Sequence, residues 1–171
     1  MKNDENHSDL RNEIPEMNLD SKYGSKKIPV QETSEMQKEM DKTKKELEKL
    51  KASVVKKFPF IQSISILPPQ SIKIFVQEEE VPKETEKYVH LFIVIPEDKL
   101  KEAQKIKKEI NDEIEKTKQK IWLHLKTPID VFEVCLDSKF DMAAAIAMSF
   151  PLHDKGFLGA LRVAEIHKSL V

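Results

Sequence analysis

Glycine is scarce in this chain of 171 residues: it occurs 3 times, at Gly24, Gly156 and Gly159. That scarcity excludes a Walker loop and a dinucleotide fingerprint, which need clustered glycines to bring backbone N–H groups against phosphate. There is no Gly-x-Ser-x-Gly elbow for a serine nucleophile. Cysteine occurs once, as Cys135, so no intrachain disulfide can form and the chain suits a reducing compartment. One cysteine and scattered histidines do not make a zinc site. Cys135 follows a segment that reads as a buried strand, so it reads as a small core residue rather than a nucleophile. A charge excess is also missing. Lys and Arg number 29 against 30 Asp and Glu, a net −1, so no overall field draws nucleic acid or an anionic membrane surface. Long apolar runs are absent too. The longest, 89–95 (broken by His90) and 142–148, are far too short to span a bilayer. The polar opening Met-Lys-Asn-Asp-Glu-Asn-His leads into no apolar stretch, so no secretory signal is read and the expected location is cytoplasmic.

What is present is charge, at 35% of residues and mostly Lys and Glu, on a length that suits one domain plus an appendage. Residues 1–33 are polar, carry Pro15 and Pro29, and have no apolar period. They cannot bury enough surface to offset ordering entropy and are expected to be a disordered tail. Residues 34–57 read as a helix. Ser34 and Gln37 have the spacing of a capping box, and Met36, Met40, Thr43, Leu47, Leu50 and Val54 follow the 4-3-4-3-4 spacing of a coiled-coil seam. Two readings stand for that seam: self-association or partner binding, and packing of an amphipathic helix on its own domain. Pro59 ends the helix.

From 58 onward the pattern predicts an α/β (α+β) domain, a small mixed sheet with helices packed on it. Residues 61–67 and 72–76 alternate as strands around Pro68-Pro69, and a charged loop follows with Glu78, Glu79, Glu80 and Pro82. Residues 88–95 are apolar at nearly every position, which suits a central strand covered on both faces. Beyond Pro96, with Asp98 as a cap, Leu100, Ala103, Ile106, Ile110 and Ile114 form the apolar stripe of an amphipathic helix. Residues 121–125 and 129–135 read as two more strands joined at Thr127-Pro128. Ser138 and Asp141 have capping-box spacing ahead of a helix over 142–148, which Pro151 closes. A loop, 151–156, then precedes a last helix, 157–170. Leu158, Leu161, Ala164, Ile166 and Leu170 keep an apolar face to the end with no glycine cap. This predicts a helix that leads into another domain or docks on a partner.

Two constellations carry possible chemistry. His90, His124, Asp130 and Glu133 lie on expected neighbouring strands, where they can converge on a metal or simply face the polar sides of their strands. His153-Asp154-Lys155-Gly156 is either a functional loop or an Asp/Gly turn.

The order strand, strand, long helix, strand pair, helix, Pro-Leu-His-Asp-Lys-Gly resembles the nucleotidyltransferase fold of the DNA polymerase beta superfamily, over residues 60–160, and in particular the minimal archaeal nucleotidyltransferases. In that family a Gly-Ser turn follows the first strand and an Asp-h-Asp pair (h, hydrophobic) opens the second. A third carboxylate comes from a later strand, and the three carboxylates hold two Mg²⁺ ions. Here 67–71 (Leu-Pro-Pro-Gln-Ser) stands at the turn with the glycine missing. Tyr88 and His90 stand at the aspartates. Asp130 matches the third carboxylate, and 151–156 matches a Pro-Leu-Tyr-Asp-like loop with His153 for Tyr.

The resemblance therefore implies a degenerate copy, a catalytically silent pseudoenzyme domain acting as an interaction or regulatory module. No cofactor is expected, and a protein partner or a covalently following nucleotidyltransferase domain would be met through 157–171. No membrane or nucleic-acid contact is expected. Self-association through 34–57, as a plain coiled-coil adaptor, is an alternative. Another is an active Mg²⁺-dependent nucleotidyltransferase. It would use Asp130 as catalytic residue, His90, Asp130 and Glu133 around the metal, and Ser71, His153 and Asp154 toward the substrate. Mg²⁺ prefers oxygen ligands, which sets His90 against that alternative.

Overall fold

The computed structural model describes residues 30–169, and the side chains of residues 34–164. By internal contacts the chain divides into two units, 1–38 and 39–171. The fold described here is that of the second. Of the tail expected over residues 1–33, residues 1–29 lie outside the described residues, and residues 30–33 are helical rather than tail.

The described elements run in the order α1 (Val30–Lys57), β1 (Ser63–Ile66), α2 (Ile72–Glu78), β2 (Val89–Val94), α3 (Ala103–Lys116), β3 (Ile121–Lys126), α4 (Pro128–Leu136), α5 (Phe140–Ala147), β4 (Phe150–Asp154) and α6 (Phe157–Ser169). Short 3₁₀ turns occupy Pro69–Ser71, Lys83–Lys87 and Glu97–Glu102. The strands form one sheet in the order β3-β2-β1-β4. β1 pairs antiparallel with both β2 and β4, and β2 pairs parallel with β3 across the α3 crossover.

Helices cover both faces of the sheet. Ile64, Leu91, Ile93 and Leu123 pack on Leu47, Leu50 and Val54 of α1 and on Ile106, Ile110 and Ile114 of α3. Phe92 and Val94 pack on Ile72, Phe75 and Val76 of α2, on α4 and α5, and on Leu158 and Leu161 of α6. Successive strand residues point to opposite faces. With helices on both sides, β2 therefore has no polar face to solvent and is apolar nearly throughout, as its sequence predicts.

Several expectations are corrected. Residues 72–76 form a helix, not a strand. Ile72, Phe75 and Val76 are buried at i, i+3, i+4 while Lys73 is exposed. Residues 129–135 are also helical. Thr127 caps α4, its hydroxyl accepting from the Asp130 N–H while the Asp130 carboxylate accepts from the Thr127 N–H, with Pro128 in the first helical position. That reciprocal bonding and the proline favour a helix start over the β-propensity of Ile129, Val131 and Val134. Helix α1 begins at Val30, which puts Ser34 and Gln37 inside it. No side chain caps α5. Its first flanking residue is Lys139, and Ser138 sits at a positive φ of 60°. Asp98 lies in a 3₁₀ turn that has no side-chain cap. Residues 151–154 belong to a strand rather than a loop. β4 is an edge strand whose register steps between Ile64 and Ser65, leaving Leu152 as the extra residue, and edges and bulges are where Pro151 is tolerated.

Candidate functional site: a buried histidine pair

On the α2/α5 side of the sheet, alternation sets His90 and Phe92 of β2 beside Trp122, His124 and Lys126 of β3. The register pairs His90 with Trp122 and Phe92 with His124, so the two imidazoles meet diagonally. They stack with centroids 5.1 Å apart, and the Phe75 ring meets His124 edge-on at 5.5 Å. His90 is 1% exposed and His124 is also buried.

Four groups join into one line. His90 Nε2 lies 2.8 Å from the Thr85 carbonyl, and His90 Nδ1 lies 2.8 Å from His124 Nε2. His124 Nδ1 lies 2.8 Å from Glu79 Oε2, and the Lys126 ammonium lies 2.9 Å from Glu79 Oε1. Burial pushes the Glu79 carboxyl up, but the His124 bond and the Lys126 charge outweigh it and hold the group at about 2. Burial also pushes His90 below the ordinary histidine value. The His124 charge adds to this, and the bond to the Thr85 carbonyl and the Glu79 charge oppose it. His90 is thus held neutral beside an ionised Glu79.

Glu79 and Lys126 open onto a cleft of about 210 Å³, open mouth included, walled by Phe92, Asp130, Val131, Val134, Met142 and Ile146. Asp130 reaches this wall, but its Oδ2 is already taken by the Thr127 N–H at 2.8 Å and the Thr127 hydroxyl at 3.1 Å. Its place in the first turn of α4 corrects the expectation that the third carboxylate stands on a strand. Glu133 is exposed on α4. Among the described residues no group of three or more His, Cys, Asp or Glu is placed to hold a metal ion. The structure therefore brings His90 to His124 and leaves Asp130 and Glu133 outside that contact.

The remaining candidates are spread out. The Ser71 hydroxyl donates to the Pro68 carbonyl at 2.7 Å, closing its own turn. His153 and Asp154 lie on β4, at the opposite edge of the sheet from β3. The Asp154 carboxylate accepts from the Leu158 N–H at 3.1 Å and the Gly159 N–H at 3.4 Å, at the start of α6. Gly156 supplies the positive φ of 111° between them. Cys135 is half-buried on α4.

Sequence reasoning missed Thr85, Glu79 and Lys126 as members of the site. Lys126 was legible by period-2 alternation from His124. Glu79 was hidden because α2, which delivers it, reads as a strand. Comparison with protein-family models, with curated proteins and with solved structures finds no match for this chain. No described helix is long and apolar enough to cross a membrane.

Proposed function

We propose that this domain is a catalytically silent, nucleotidyltransferase-like module that works by binding another protein. The observation that carries the reading is the use made of His90. It stands near the start of β2, where the resembling family has a metal-binding aspartate, and both its ring nitrogens are bonded inside the core. A histidine so engaged has no lone pair to offer a metal. The engaged Oδ2 of Asp130 supports the same conclusion, because a Mg²⁺ ion there would compete with the cap that starts α4. Binding surfaces are present on the outside. Phe132 and Leu136 lie on α4 with 61% and 81% of their surface exposed, and Ile129 joins them at i, i+3, i+7 spacing.

The deciding experiment is a titration of ATP, CTP, GTP and UTP, with and without Mg²⁺, against wild type and Asp130→Ala. The expected result is no Mg²⁺-dependent binding by either protein. Mg²⁺-dependent binding that Asp130→Ala abolishes would instead make this a transferase.

Self-association is a second reading, favoured by the exposure of Met36 and Met40, at 61% and 70%, on α1. With those methionines in the seam, Glu39 and Glu46 fall at g positions and Lys44 and Lys51 at e positions. Parallel pairing of two copies then sets opposite charges against each other, whereas antiparallel pairing sets like against like. A sedimentation mass equal to one chain, unchanged by Met40→Lys, removes this reading.

A further inference from the structure

The line through the two histidines ends in an acceptor on each side. The Thr85 carbonyl can only accept, and the Glu79 carboxylate already receives the Lys126 ammonium. Between them are three contacts of 2.8 Å: Thr85 to His90, His90 to His124, and His124 to Glu79. Three hydrogen bonds need three protons. Two neutral imidazoles carry one N–H each, so the line is complete only with one proton more. A neutral pair leaves two lone pairs facing each other somewhere along the line, whichever tautomers it adopts. A doubly charged pair sets His90 N–H against His124 N–H at 2.8 Å.

The pair also pins both ends of one connection. Glu79 ends α2, its N–H donating to the Phe75 carbonyl at 2.9 Å, and Thr85 sits in the turn that returns to β2. Between them the chain passes through Glu80, at a positive φ of 51°, and the buried Val81. His124 holds the first end and His90 the second. The charged groups at the pair are Glu79 from the end of α2, bonded to His124, and Lys126 from β3, bonded to Glu79; Asp130 from α4 lines the neighbouring cleft with both. α5 contributes only Met142 and Ile146 there, and the 83–87 turn contributes the Thr85 carbonyl.

We propose that His90 and His124 form a proton-operated clasp, in which one shared proton fastens the 79–88 strap and a second proton releases it. The second proton goes to His90 Nδ1, the nitrogen that accepts from His124. Its arrival sets N–H against N–H and drives the rings apart, Thr85 staying with His90 and Glu79 with His124, so the two ends of the strap are no longer tied to each other. Glu79 is part of the cleft wall, so release also uncovers the apolar side of the cleft, at Phe92, Met142 and Ile146.

The test uses the full chain labelled with ¹⁵N-histidine. At neutral pH the ring nitrogens of the pair should report one imidazolium and one neutral ring. On acidification, amide exchange over 79–88, taken relative to the unprotected rate at each pH, should rise by about tenfold or more before the rest of the domain opens. The emission of Trp122, the single tryptophan and the residue in register with His90, should change in the same step. His90→Gln can still donate to Thr85 and accept from His124 but cannot take the second proton, so its strap should lose the acid response. Two neutral rings at neutral pH would overturn the proposal. So would a wild-type strap that exchanges no faster until global unfolding, or an acid response that His90→Gln retains. If His90→Gln does not fold, the wild-type ring spectra and strap exchange decide.

Discussion

Glu113 Oε2 accepts a hydrogen bond from the Ser53 hydroxyl at 2.8 Å, tying α3 to α1 on one face of the sheet. Its other oxygen takes the ammonium groups of Lys116, at 2.8 Å, and of Lys57. The helices that cover this face are thus joined by a half-polar seam at the margin of their apolar contact.

Glu113→Gln should lower the thermal midpoint at neutral pH. The Lys116, Lys57 and Ser53 bonds, in that order, hold the Glu113 carboxyl at about 2, against burial. A carboxyl depressed in the folded state contributes above its unfolded value of 4.5, and the contribution is lost as pH falls toward 2. The gap between wild type and variant should therefore narrow over that interval, and melting curves across it check this. A gap that stays constant would mean the charge plays no part.

Glu79→Gln removes the negative charge, and one of the two acceptor oxygens, that face His124 and Lys126. It should cost about 1–3 kcal/mol in urea unfolding at neutral pH, since the Lys126 ammonium loses its counter-charge and the buried His124 Nδ1 loses a charged partner. Its folded value of about 2 also lies below the ordinary 4.5, so this difference too should shrink as pH falls between them. His90 works over a higher interval. Its folded value is lowered from 6.5, so the unfolded chain binds a proton there first and stability should decline as pH falls below 6.5.

The two halves of the α1 seam should respond differently. Leu50→Ala opens a cavity against the sheet and should cost about 2–5 kcal/mol. Met40→Ala touches an exposed side chain and should stay within about 0.5 kcal/mol, as measured by denaturant midpoints.

Asp130→Ala should lose about 0.5–2 kcal/mol through the cap of α4. Asp130→Asn keeps an acceptor for the Thr127 N–H and should recover part of that loss. If the two variants were equally unstable, the cap would not be what Asp130 contributes.

Much of the fold is legible in particular residues. The stripe Ile106, Ile110, Ile114 announces α3, and the unbroken apolar run of β2 announces a strand covered on both faces. Over 72–76, by contrast, Ile, Lys, Ile, Phe and Val fit a period of 2 almost as well as 3.6, and only burial against the sheet decides for the helix. The start of α4 was legible in Thr127-Pro128-Ile129-Asp130, a capping signal that outweighs the β-branched residues after it. Among the site residues, the shared face of His90, His124 and Lys126 follows from alternation once β2 and β3 are paired in parallel. Glu79 does not, because it arrives from another helix.

Which segments are apolar, where prolines stop them, and that His90 lies in a strand covered on both faces are properties of local residue order, and local order is all they need. What His90 meets, by contrast, is set by packing alone. Its partners Thr85, His124 and Glu79 lie 5 residues away, 34 residues away, and one imidazole further on. Only the register of two strands and the end of α2 bring them within a hydrogen bond, in a place dry enough for a single proton to matter.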